Sequence, residues 1–114
     1  MIRPFVYLAC PYSDPDPAVR EARFHAANAM AGDLMSKGAL VFSPISHTHP
    51  IVQAHGGLPL DWKFWARYDR AMLDHCYRIA VLKLPGWRES VGVQAEMQIA
   101  AEMGLPFEFL EPLP

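Results

Sequence analysis

Cysteine is nearly absent from this chain: Cys10 and Cys76 are the only two in 114 residues. Small domains held by disulfides carry even sets of cysteines at regular spacing, so a lone pair in unlike contexts excludes such a framework and predicts free thiols. Charge of one sign is also scarce. The formal net charge is −2 and the lysines and arginines are scattered, which removes the one-sided basic footprint that holds a nucleic-acid polymer. A small anionic ligand stays open. Long apolar runs are missing as well, since no stretch approaches the roughly 18 residues of a membrane span. The first residues pass straight into a strand pattern with no charged-then-apolar leader. The expectation is a cytoplasmic protein with no membrane partner. The chain also shows no internal repeat, low-complexity tract or linker.

What is present suits one domain over residues 1–114, because 52% hydrophobic residues in a chain of this length can bury a real core. Arg3 to Ala9 is β-branched and aromatic without helical period, and Cys10-Pro11-Tyr12-Ser13-Asp14-Pro15 closes it, as a central strand and loop would. Asp14-Pro15 and Asp16-Pro17 each set a capping carboxylate before a proline suited to the first helical position. The helix they open is expected to reach about Lys37, with Val19, Ala22, Ala26, Met30 and Leu34 as its inward stripe and Gly38 closing it. Ala39 to Ser43 reads as a second, short strand. Ile45 to Leu60 holds His47, His49, His55, two prolines and a glycine pair, shows no clear period, and is expected to be a long functional loop. Asp61 then caps a helix with Trp65, Asp69, Met72 and Cys76 inward. Tyr77 to Leu84 is a third strand, and the turn through Ser90 opens a helix that aligns Val93, Glu96, Ala100 and Met103 on one face. Phe107 to Leu110 is the last strand. Alternating strands and helices predict an α/β three-layer domain, flavodoxin- or Rossmann-like, with a small parallel sheet in the order 2-1-3-4. Its ligand site is expected beyond the carboxyl ends of strands one and three.

Two inward carboxylates, Glu96 and Asp69, are the pair that glycosidic chemistry requires: one attacks or stabilises the anomeric carbon, the other handles protons or sugar hydroxyls. The bland alternative is that each is capped or salt-bridged at a helix edge. His47-x-His49, with His55 or Asp61, has spacing that on an extended segment could bind a metal, but the loop lacks cysteine or a Glu-x-x-His pattern, so base or phosphate contact is the better reading and no metal is expected. Cys10 is read as a small buried thiol rather than a nucleophile. Trp62, Trp65 and Tyr68 at helical spacing are read as core or subunit interface. Arg20, Arg23, Arg67 and Arg70 are read as solvated or paired, with one of them open to a phosphate.

Val6-Tyr7-Leu8-Ala9, Tyr68-Asp69-Arg70-Ala71-Met72-Leu73, and Ser90-x-Gly92-Val93-x-x-Glu96 followed by Ala100 and Gly104-x-Pro106 resemble, in order and over nearly the whole chain, the nucleoside 2-deoxyribosyltransferase superfamily. Within it the motifs are most similar to the deoxynucleoside monophosphate N-glycosidases. The resemblance implies that Glu96 is the nucleophile toward C1′ of a deoxyribose, that Asp69 assists with sugar or proton, and that Tyr7 orients the nucleophile. It also implies that Ser90, with the amides of Val91 and Gly92, holds a phosphate or a base edge, and that Gly92 lets the backbone approach the ligand. The Cys10-Pro11-Tyr12 turn and His47 and His49 complete the expected substrate contacts, although Cys10-Pro11-Tyr12-Ser13 replaces the glycine- and arginine-rich turn of the hydrolases. The resemblance further implies a homo-oligomer, a dimer or a dimer of dimers, and no cofactor. The leading expectation is cleavage or transfer at the N-glycosidic bond of a 2′-deoxynucleoside or its 5′-monophosphate. The alternative is a nucleotide-binding or sensing module of the same fold that has lost turnover.

Overall fold

A computed structural model describes residues 2–114. Eight elements follow in the order β1 (Phe5–Ala9), α1 (Pro17–Ser36), β2 (Val41–Phe42), α2 (Pro44–His55), α3 (Trp62–Leu73), β3 (Cys76–Leu82), α4 (Val91–Glu102) and β4 (Phe107–Leu110). All strand pairs are parallel and the sheet order is β2-β1-β3-β4, as the alternation of elements predicts. Period-two alternation along β1 and β3 divides the core into two layers. Val6, Leu8, Ala80 and Leu82 face Ala27, Met30 and Ala31 of α1 and Ile45 of α2. Tyr7, Ala9, Ile79 and Val81 face Leu73 at the end of α3 and Val93, Ile99 and Ala100 of α4. The sheet is thus covered on both sides, the condition under which parallel strands are stable.

Two helix starts are capped by side chains, those of α1 and α4, whereas Asp61 stands at the start of α3 without a capping hydrogen bond. The Asp16 carboxylate accepts from the Ala18 amide at 2.9 Å with Pro17 in the first turn, and the Ser90 Oγ accepts from the Val93 amide at 3.2 Å. Three expectations need correction. The inward stripe of α1 runs through Ala27, Met30 and Ala31, with Phe24 and Leu34 beside it, and Ala22 is exposed. An alanine carries too little apolar area to fix which face turns inward, and Phe24 outweighs Ala22. Cys76 is the first residue of β3, not the last of a helical face. The largest departure is α2, which occupies most of the expected long loop. Pro44 sits in its first turn, where a missing N–H is harmless, and Gly56 ends it at φ 78° in the left-handed region. Its inward residues, Ile45, His49 and Val52, do follow helical spacing. A histidine at the middle position and Pro50 inside the helix hide that stripe in the sequence.

Candidate active site

A cleft of about 410 Å³ opens at the carboxyl edge of the sheet, where the chain leaves β1 at Cys10 and Tyr12, leaves β2 at Pro44, and enters α4 through Glu89 and Ser90. Its size falls in the range of small-molecule sites. α3 supplies Trp62, Trp65 and Asp69 to its wall, and α4 supplies Gly92 and Glu96.

Glu96 is 5% exposed and Asp69 8%, so helical spacing has turned both carboxylates into the protein interior at the cleft floor. The fully buried Tyr7 hydroxyl donates to Glu96 Oε2 from the middle of β1, and the Tyr7 ring packs against Phe42 at 5.8 Å between centroids. Asp69 Oδ1 is buried with no hydrogen-bond partner among the described residues. An orphaned carboxylate oxygen on a cleft wall costs free energy unless a ligand group meets it.

Burial pushes the Glu96 carboxyl well above its usual range, the nearby Asp69 charge pushes it further, and the Tyr7 hydrogen bond opposes both. Burial likewise lifts Asp69 to about 7, again against the Tyr7 hydroxyl. The two carboxyls titrate as one unit that retains a proton near neutral pH. Tyr7 is itself raised by burial and by both carboxylates, so its phenol stays protonated and remains a donor. The Cys10 thiol lines the cleft, but burial and Glu96 hold it up at about 12 against the pull of Arg23, which makes it a poor nucleophile.

Of the residues singled out in the sequence, Cys10, Tyr12, Asp69, Ser90, Gly92 and Glu96 meet around one cleft, and Tyr7 stands behind it. A Cβ on Gly92 would have only the Trp62 ring within 4 Å, at 3.8 Å, so packing within the chain does not require glycine there. Pro11 is fully buried and lies off the cleft wall. His47 and His49 do not line the cleft either. On an extended segment they would point the same way, but a helix sets positions two apart on nearly opposite faces. His47 is therefore exposed and stacked on Tyr68 with centroids 6.0 Å apart, while His49 is buried with both ring nitrogens engaged. No group of three or more His, Cys, Asp or Glu side chains converges to hold a metal among the described residues. Arg20 donates to the Asp14 carbonyl, and Arg23 to the carbonyls of Tyr12, Ser13 and Pro85. Neither guanidinium lines the cleft.

Sequence reasoning missed two contributors. Trp62 and Trp65 line the cleft, Trp62 while also packing against the core, and the Trp65 Nε1 is fixed by donating to the Pro59 carbonyl at 2.8 Å. Their positions seven and four residues before Asp69, on one helix face, were the available signal. Glu89 and Asp61 add two more carboxylates to the wall, so four acids and no lysine or arginine line the cleft among the described residues.

Fold and site together define a three-layer α/β domain with a buried acid pair in a small-molecule cleft. The chain matches, over residues 4–111, a family described as a domain of unknown function (DUF1937), and it belongs to that family. Among curated proteins none matches it. No helix of the described residues is long and apolar enough to cross a membrane.

Proposed function

We propose that this protein cleaves or transfers at the N-glycosidic bond of a 2′-deoxynucleoside, with Glu96 as nucleophile. The observation that carries this reading is the buried Tyr7–Glu96–Asp69 cluster on the floor of a cleft walled by Trp62 and Trp65. The likeness of the motifs to the nucleoside 2-deoxyribosyltransferase superfamily supports it, because Asp69, Ser90, Gly92 and Glu96 of those motifs line that one cleft.

In the proposed reaction a Glu96 carboxylate oxygen bonds to C1′ as the C1′–N bond breaks, and that electron pair leaves with the base. The reaction runs from the form of the pair in which the shared proton is on Asp69 and Glu96 is ionised, the form that the Tyr7 hydrogen bond to Glu96 favours, and the departing nitrogen takes that proton. Water, or a second base, then attacks C1′ and returns its proton to Asp69. The C1′–O bond to Glu96 breaks and the carboxylate is restored. Tyr7 keeps Glu96 oriented and favours its ionised form. The tryptophans offer flat apolar surfaces to a nucleobase, and the Ser90 turn offers its hydroxyl and unpaired first-turn amides to the sugar.

Between nucleoside and 5′-monophosphate, the charge of the wall favours the nucleoside. A phosphate would enter beside Asp61 and Glu89 and over an Asp69–Glu96 pair that shares a proton, with no lining cation to meet it, and like-charge juxtaposition costs several kcal/mol. We further propose a cytoplasmic homo-oligomer, a dimer or a dimer of dimers, with exposed Phe64 and Tyr68 of α3 as part of its contact face. Chromatographic assay of free base from the deoxynucleosides and their 5′-monophosphates tests the reading. The expected outcome is base release from at least one nucleoside with kcat/KM at least ~10-fold above its monophosphate. Release from neither class would remove the proposed activity, and a preference for the monophosphate would remove the charge argument.

A further inference from the structure

Behind the cleft wall, and outside the carboxyl cluster, three polar side chains from three segments form a continuous chain. The Tyr12 hydroxyl lies 2.5 Å from His49 Nδ1, and His49 Nε2 lies 2.7 Å from Glu21 Oε2. Tyr12 follows β1 and lines the cleft; His49 is on α2 and only 3% exposed; Glu21 is on α1. The His49 ring is held against Phe24 with centroids 4.3 Å apart, and Gln53 Nε2 donates to the same Glu21 oxygen at 3.3 Å. Both nitrogens of the buried histidine are satisfied, and the two bonds together hold its ring in one orientation.

We propose that Glu21 and His49 are positioning residues that fix the Tyr12 hydroxyl as a hydrogen-bond acceptor toward the cleft, so that the bound molecule presents an O–H or N–H donor there. The direction follows from proton counting. An ionised carboxylate only accepts, so His49 Nε2 carries the hydrogen that Glu21 receives. A neutral imidazole has one N–H, which leaves Nδ1 as a lone pair. The Tyr12 proton is then committed to Nδ1, and the phenol oxygen has only lone pairs to offer. Arg20, from α1, also donates to the Tyr12 oxygen, so one lone pair is taken and one is left for a donor in the cleft. If Nδ1 carried the hydrogen instead, Tyr12 would turn its own proton into the cleft and select an acceptor. A deoxyribose hydroxyl or the exocyclic amine of a base is the donor that fits. This last identification rests on the proposed nucleoside reading; the polarity of Tyr12 does not.

Ring 15N resonances of His49 in the whole protein test the polarity without any substrate. The wild type is expected to show one Nε2–H tautomer, Glu21→Ala a mixture of both, and Tyr12→Phe an Nδ1 signal moved toward that of a free acceptor. A wild-type Nδ1–H tautomer, or an Nδ1 signal unmoved by Tyr12→Phe, overturns the proposal. Glu21 is half-exposed and Tyr12→Phe keeps the ring, so each change costs one hydrogen bond of His49 and opens no cavity in the core. With a turned-over deoxynucleoside, Tyr12→Phe should raise KM about 3- to 10-fold with kcat nearly unchanged, the size of one lost neutral hydrogen bond, and Glu21→Ala should move KM the same way by less. An unchanged KM in Tyr12→Phe also overturns it. Absence of base release by the wild type counts against the nucleoside reading alone, because the tautomer result still decides the rest.

Discussion

Replacing Asp69 by asparagine should make the protein more stable near neutral pH while removing its proposed proton handling. The side chain is 8% exposed, and burial lifts its carboxyl from 3.8 to about 7. A native-state pKa above the unfolded value means that the folded form binds more protons across that window, so stability is fully present below about pH 4 and is lost as the pH climbs toward 7. At ~1.4 kcal/mol per unit, about three units correspond to ~4 kcal/mol as an upper limit, and structural relaxation lowers it. Asparagine has the same shape and no charge to bury. It also removes the Coulombic push on Glu96, which adds to the gain. Urea denaturation of wild type and Asp69→Asn, followed from about pH 4 to about pH 8, reads this directly as the difference in unfolding free energy at constant m. The two proteins should be nearly equal at the acid end and should separate by about 2–4 kcal/mol in favour of the variant at the alkaline end. A difference that does not change with pH, or a variant less stable at about pH 8, refutes the reasoning.

Other expected outcomes address neighbouring groups. Tyr7→Phe removes the donor that favours ionised Glu96, so the acid limb of the pH–rate profile should move to higher pH and kcat should fall ~10- to 100-fold, as for one lost bond to a charged group. Cys10, raised to about 12, should resist alkylation at about pH 8 in the folded protein and react only on unfolding. Gly86 holds φ 90°, and a Cβ there would stand 3.0 Å from Arg23 Nη2, so Gly86→Ala should cost about 1–2 kcal/mol in denaturant titration and loosen the turn before α4.

The elements with strong period or clear punctuation were legible in the sequence. β1, β3 and β4 are short β-branched or aromatic runs, and the parallel order β2-β1-β3-β4 follows from their alternation with helices. Glu96 and Asp69 stood out because each interrupts an otherwise apolar helical stripe. α2 did not, since Pro50 and three histidines mask the Ile45–His49–Val52 face, and only packing against α1 and β1 reveals it. That one error spread to the site. It put His47 and His49 on a common loop face, where the helix separates them and sends His49 inward to Tyr12 and Glu21. These partners lie 37 and 28 residues away, and no local pattern in one sequence encodes such a meeting. The cleft role of Trp62 and Trp65 is not legible, because aromatic spacing says that a face is covered and not by what.

The central claim is that Glu96 makes the bond to C1′, and base release by Glu96→Gln tests it most directly. The substitution keeps the shape of the side chain and an oxygen for the Tyr7 hydrogen bond while removing the nucleophile. Deoxynucleosides incubated with wild type should yield free base, and rapid acid quench should leave a deoxyribosyl group on the peptide that contains Glu96. The folded Glu96→Gln protein should release base at least ~1000-fold more slowly and carry no adduct. Base release by Glu96→Gln at the wild-type rate would contradict the account.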